Sequence, residues 1–240
     1  MTRLAPLLVL LMLAAGFAPA RAAPQILPVF GSDFPPYAYE DNGRAAGSAT
    51  DRVRGILQAA GLTAVIEIYP WARAYRAARA TPDALLYPVA RTPEREDEFI
   101  WLGELVDYDV RLWRLADRRD IVLTSLADAE GFSFGGLPDD AKTGYLREQG
   151  MTVSLQSNED ILLTMLINGR IDLMPADRVS FLARLQRDGL DSRGFVAALA
   201  LPAVSRPLYL AISRGADPDL VARLAAAFGP TAKPESLKSQ

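Results

Sequence analysis

Two arginines in a short polar turn are the first residues of this chain that could do chemistry. The stretch 84–101, ALLYPVARTPEREDEFIW, runs from an apolar segment at 84–89 into Arg91-Thr92-Pro93-Glu94-Arg95. A second apolar segment follows at 99–102. A guanidinium is a planar fork of donors that stays charged at any physiological pH, so it suits two-pronged capture of a carboxylate or similar anion. Read as strand, polar loop, strand, the stretch places Arg95 at a strand end, where α/β proteins seat ligands. Two readings stand on these residues alone. Arg95 holds the anionic group of a small molecule, or both arginines are solvated on a surface turn.

What the chain lacks narrows the chemistry. Its 240 residues include no Cys and no His. That excludes a Ser-His-Asp triad, a cysteine nucleophile, a thiolate or imidazole metal site and any disulfide. Catalysis would have to run on carboxylates, Lys, Tyr or Arg. We therefore single out no catalytic residue, no metal site and no cofactor. Lys and Arg total 26 against 29 Asp and Glu, with no basic block, which argues against nucleic acid as a partner.

Residues 1–22 read as a leader rather than as part of the fold. One early cation, Arg3, precedes an apolar run at 4–17, and Ala20-Arg21-Ala22 forms a small-x-small cleavage site. The run is too short for a stable membrane span, and no Cys follows it to carry a lipid. The expectation is a cleaved signal peptide and a soluble exported protein starting at Ala23. Loss of Arg3 and Arg21 takes the net charge from −3 to −5.

The elements that must position the arginines alternate along the chain. Strands are expected at 25–30, 64–69, 84–89, 99–102, 109–115, 132–136, 151–155, 171–174, 195–201 and 208–213. A helix capped by Ser48 or Thr50 runs to Ala60, and Pro70-Trp71 opens another that carries Arg73, Arg76 and Arg79 on a solvated face. Further helices are expected at 125–129, up to Gln149, from a capping box at Ser157 and Asp160, at Arg178–Arg187 capped by Asp177, and at 217–228. Strand–helix alternation argues for an α/β fold with mostly parallel sheets and helices on both faces. Long strand-like runs near 108–114 and 201–210 read as two crossings between lobes. Residues 23–110 with 208–240 then form lobe 1, residues 111–207 form lobe 2, and the cleft between them is the preferred ligand site.

Taken in order, several short marks resemble one family. They are Phe34-Pro35-Pro36-Tyr37, Ala46-Gly47 with Asp51, Pro70-Trp71-Ala72-Arg73-Ala74, Arg91-Thr92-Pro93-Glu94-Arg95, Gly169-Arg170-Ile171-Asp172 with Asp177, and Leu208–Ser213. The chain resembles an extracytoplasmic solute-binding protein of the polar amino-acid type, family 3, with the type 2 periplasmic binding fold. The resemblance spans about 30–228. It implies that Arg95 binds a ligand carboxylate and that Asp177, from the other lobe, binds a ligand ammonium. Phe34 and Tyr37 would cover the ligand, and Trp71, Tyr87, Ala90 and Arg91 would line its site. Trp71 could equally plug the first lobe, and Asp177 could be a plain helix cap. The implied role is capture of a small polar solute, an amino acid or related carboxylate or amine, for the permease of an ABC-type transporter.

The departures from that pattern bear on the ligand. Relatives place hydroxyls five and seven residues before the arginine, where this chain has Ala90 and Pro88. The loop Leu137-Pro138-Asp139-Asp140 is acidic where relatives favour Ser-Thr, and Arg91 is an added cation. The ligand need not be a standard amino acid. Two rival functions accompany the leading one. One is a cleft enzyme similar to cyclohexadienyl dehydratases, with Asp177, Asp33 or Glu40 as the acid. The other is a soluble ligand-sensing module.

Overall fold

A computed structural model describes residues 26–229; the proposed leader and the polar tail at 230–240 lie outside the described residues. The chain enters through β1 (Leu27–Ser32), the short strands β2 (Tyr39–Asp41) and β3 (Arg44–Ala46), α1 (Ser48–Ala59), β4 (Ala64–Tyr69), α2 (Trp71–Ala80), β5 (Leu85–Ala90) and β6 (Phe99–Val106). It crosses into β7 (Val110–Leu115), β8 (Phe134–Gly136), α3 (Ala141–Glu148), β9 (Val153–Leu155), α4 (Glu159–Ile167), β10 (Met174–Asp177), α5 (Arg178–Arg187) and β11 (Phe195–Ala200). It returns through β12 (Leu208–Ser213) and α6 (Pro218–Phe228).

The pairing of these strands makes two lobes on one plan. The first-lobe sheet has the order β4-β1-β5-β12-β6, with β12 alone running against the others. In the second lobe, β10-β7-β11 and β8-β9 are joined by a parallel bridge between Phe134 and Leu173, and β7 alone is reversed. The reversed strand in each lobe is the one the chain uses on arriving from the other. Both sheets are therefore mostly parallel, and the first is built from both ends of the described chain.

Local sequence explains how the elements near the cleft are set. On α2, Trp71, Ala74, Tyr75 and Ala78 are buried at helical spacing, while Arg73, Arg76 and Arg79 face solvent. Strand β5 lies mid-sheet with Leu85–Val89 buried. Its Pro88 cannot donate to a ladder, and the β5–β12 register shifts beside it, between Tyr209 and Ala211. One apolar cluster contains Trp71 and Tyr75 from the first lobe and Leu137 and Phe181 from the second, so the lobes share buried surface.

Several local expectations need correction. Gly47, not Ser48 or Thr50, stands at the N-cap of α1, with φ 108°. The Thr50 hydroxyl instead donates to the Ala46 carbonyl at 2.9 Å and meets the Tyr87 hydroxyl at 2.9 Å. Asn158, not Ser157, caps α4 by accepting from the Ile161 amide, which leaves Asp160 free to pair with Arg184 and Arg187. The strand expected at 171–174 lies at Met174–Asp177, and two short strands not expected from sequence, β2 and β3, form a hairpin around the turn at Asn42-Gly43. Among the described residues no helix is long and apolar enough to cross a membrane.

Candidate functional site

Arg95 follows β5 by one turn of 3-10 helix at Pro93–Arg95, and that turn folds its side chain back under the strand end. Only 6% of the residue is exposed. Its guanidinium stacks over Trp71 at 4.9 Å and Tyr75 at 5.1 Å from the ring centroids, two residues one helical turn apart on α2. Nη1 donates to the Ala90 carbonyl at 3.0 Å, and Nη2 donates to the Asp139 carbonyl of the second lobe at 2.5 Å. The indole Nε1 of Trp71 donates to the same carbonyl at 2.8 Å. The first lobe thus grips the β8–α3 loop by one backbone oxygen, and Asp139 has the left-handed φ of 57°.

Two spaces flank this grip. The inner cavity, about 50 Å³, is lined among others by Asp33, Phe34, Trp71, Pro88, Arg95 and Lys142. An outer chamber of about 480 Å³ opens on the other side, and its walls include Tyr75, Arg79, Arg91, Tyr145 and Arg206. Ala90, Arg95, Asp140 and Ala141 line both.

The inner cavity has a charged wall that sequence reasoning did not single out. Lys142 is 5% exposed, and its ammonium lies 3.1 Å from Asp140 and 3.4 Å from Glu159. It also donates to the Tyr108 hydroxyl at 2.9 Å. Burial works against the Lys142 charge, but Asp140, Tyr108 and Glu159 outweigh it and hold the amine protonated well above its usual range. Arg184 of α5, 1% exposed, pairs with Glu159 at 3.3 Å, with Asp160, and with Asp33 of the first lobe at 3.9 Å. The contact between Arg184 Nε and Glu159 Oε2 lacks good hydrogen-bond geometry, so these two atoms attract as charges only. Burial raises the Asp33 carboxyl above the usual carboxylate range, against the pull of Arg184. The Asp140 carboxylate turns onto its own helix and accepts from the Lys142 and Thr143 amides at the start of α3.

The expected site residues divide into two groups. Arg95, Trp71, Phe34 and Ala90 converge on the inner cavity, and Arg91 lies on the outer chamber. Arg91 is braced by Glu96 at 2.8 and 2.5 Å and lies 5.6 Å from the centroid of the Trp101 ring. Tyr87, Tyr37 and Asp177 line neither space. Tyr87 is fully buried in the first-lobe core, where burial pushes its phenol up to about 12. Since Thr50 gives its proton to Ala46, the Tyr87 hydroxyl is the donor in their contact. Asp177 caps α5 by accepting from the Ser180 amide at 2.9 Å and also accepts from the Asp109 amide at 2.9 Å, at the start of the crossing into β7. Its burial raises the carboxyl, and the phenol of Tyr37 is raised by burial and by the facing Asp177 charge. Tyr37 in turn lies 5.2 Å from Phe34, ring to ring.

Glu159, Lys142 and Arg184 left a signal in the sequence only as polar residues inside otherwise helical stretches. Nothing in that spacing says that α3, α4 and α5 turn them toward one another.

Comparison with solved structures places this architecture. An ancestral arginine-binding protein bound to arginine superposes with a TM-score of 0.72 at 18% identity, covering 86% of this chain and 92% of its own. A histidine kinase sensor domain with similarity to periplasmic binding proteins gives 0.75 at 20% identity, covering 85% and 90%. The arginine-, lysine-, histidine-binding protein ArtJ from Geobacillus stearothermophilus gives 0.69 at 15% identity, covering 84% and 87%. No family model and no curated protein sequence matches. The chain has the two-lobed α/β fold of the amino-acid-binding periplasmic proteins, as its sequence marks implied.

Proposed function

We propose that this protein captures a small polar solute bearing a carboxylate between its two lobes, with Arg95 as the anion receptor. The observation that carries the reading is the state of Arg95. It is buried, packed over two aromatic rings, and bonded only to backbone carbonyls, with no carboxylate in ion-pair range among the described residues. A cation held this way gains from an anion that enters the cleft, because the surroundings are already desolvated and the donor fork is preoriented. Phe34 and Trp71 would cover the solute, Ala90 would flank it, and Arg91 would guard the outer mouth. Tyr37 and Asp177 would serve the hinge rather than touch the solute.

The remaining parts of the reading draw support from the fold and from the leader-like sequence of residues 1–22. The protein would act in the periplasm as a monomer, and its ligand-closed form would dock on the permease of an ABC-type transporter. Closure by a ligand that touches both lobes is a shift in population toward the form it binds best.

The test is a thermal-shift screen with organic acids, amino acids and amines. A solute at a hundred times its dissociation constant is expected to stabilise the protein by ~2.7 kcal/mol. Stabilisation by at least one carboxylate supports the reading; no shift with any carboxylate overturns it.

A further inference from the structure

We infer that the Asp139 carbonyl is an internal stand-in for the solute: with Arg95 and Trp71 it forms a latch that holds the two lobes together while the cleft is free of solute. The latch stands on geometry alone. Its displacement by a solute carboxylate rests on the solute-capture reading above.

Two donors from the first lobe converge on this one oxygen of the second. Arg95 Nη2 donates to it at 2.5 Å and Trp71 Nε1 at 2.8 Å. Both donor residues are at least nine-tenths buried, a setting in which a hydrogen bond is electrostatically stronger than in water. Another contact across the lobes, from Arg184 Nη2 to the Asp33 carbonyl, is longer, at 3.3 Å.

The loop that carries the oxygen is held at both ends. Leu137 is buried in the apolar cluster that the lobes share, and its amide donates to Thr143 Oγ1 at 3.0 Å. Asp140 accepts from the Lys142 and Thr143 amides and pairs with the Lys142 ammonium. Between these anchors stand Pro138, whose ring fixes φ, and Asp139 in its left-handed conformation. The carbonyl is therefore presented to Arg95 with little chain entropy left to lose.

The chemistry of the acceptor makes the latch reversible. A guanidinium bonds a neutral carbonyl less strongly than an ionised carboxylate, which it can also grip with two parallel bonds. A solute carboxylate is thus a better partner for Arg95 than the oxygen it replaces. Space favours the exchange. With the latch shut, the inner cavity of about 50 Å³ has room for little more than a water or two. Ala90, Arg95, Asp140 and Ala141 line both that cavity and the outer chamber of about 480 Å³, so the latch is part of the partition between them.

The chain has no Cys, so two engineered ones can carry spin labels without interference. Gln58→Cys on α1 and Gln186→Cys on α5 put one exposed label on each lobe. Double electron–electron resonance then gives the distance between labels in exhaustively dialysed, solute-free protein. It is measured with no further change, with Trp71→Phe, which keeps an aromatic face by Arg95 but removes the indole donor, and with Pro138→Gly, which loosens the loop. One dominant distance is expected without further change, and a second population in each latch variant that folds. Two populations without further change, or a single one retained in a folded latch variant, would overturn the latch. Should Trp71→Phe fail to fold, Pro138→Gly, a half-buried loop position, decides alone. Glutarate and phenylpropanoate, titrated calorimetrically, read the displacement. A probe that binds is expected to bind Pro138→Gly about threefold or more tightly than the wild type, because less of that protein is latched. Equal or weaker binding to Pro138→Gly would overturn the stand-in role. Silence of both probes in both proteins would strike at the solute-capture reading, and the spin-label distances would still decide the latch.

Discussion

At the scale of single residues, the site is a contest over which charges are already spent. Arg95 was singled out in sequence only through the family resemblance, because the loop by itself read equally as a solvated surface turn. Lys142 and Glu159 were not legible, since each reads as an ordinary helix residue until the fold buries it. The acidic loop at Asp139-Asp140 shows the same limit. It read as acidic where relatives favour Ser-Thr, yet the Asp140 carboxylate caps its own helix and pairs with Lys142, while Asp139 offers Arg95 its carbonyl. Asp177 gives a test by pH. Burial raises its native carboxyl above the unfolded value of 3.8, so the native state takes up a proton before the unfolded state does as pH falls. Stability drawn from this group therefore rises as pH falls from neutral toward about 4. Asp177→Asn, which still offers a capping oxygen, should lose that response. Urea denaturation across pH 7 to 4 is expected to show the wild type gaining on the variant as pH falls; parallel curves would refute the assignment.

At the scale of elements, the sequence announced most of the fold and misplaced several ends. Helix α5 at Arg178–Arg187 and strand β12 at Leu208–Ser213 were read at their observed bounds, because an Asp cap and a bounded apolar run are local signals. Strand β10 was placed early, since the apolar residues Ile171 and Leu173 precede the ladder that β7 provides. The caps of α1 and α4 were misread because Ser48 and Ser157 are good caps in isolation, and the competing residues are chosen by neighbours distant in sequence. Gly47 is such a case. Its φ of 108° is one that side chains avoid, and a Cβ there would collide with the Tyr37 carbonyl. That carbonyl also accepts from the Ala49 and Thr50 amides, so it ties the aromatic loop to the first turn of α1. Gly47→Ala is expected to destabilise the protein by about 1–3 kcal/mol in chemical denaturation, and a neutral result would remove this loop–helix junction from the account.

At the scale of the whole molecule, two lobes with one reversed strand each meet over a buried arginine. The sequence suggested two crossings because long extended runs link the alternating blocks. How the lobes lie against each other could not be read, because Trp71, Arg95 and Asp139 meet only after both lobes have formed. Because Asp139 supplies an oxygen to Arg95, a carboxylate arriving at that donor must displace or share the contact, and its affinity is reduced by whatever stability the contact lends. The central claim is that Arg95 receives the carboxylate. The most direct measurement is a calorimetric titration of the best-binding acid into the wild type and into Arg95→Gln, with circular dichroism to confirm that the variant is folded. Loss of roughly 2–5 kcal/mol of binding free energy is the predicted result. A folded variant that binds the acid as tightly as the wild type would show that the anion sits elsewhere.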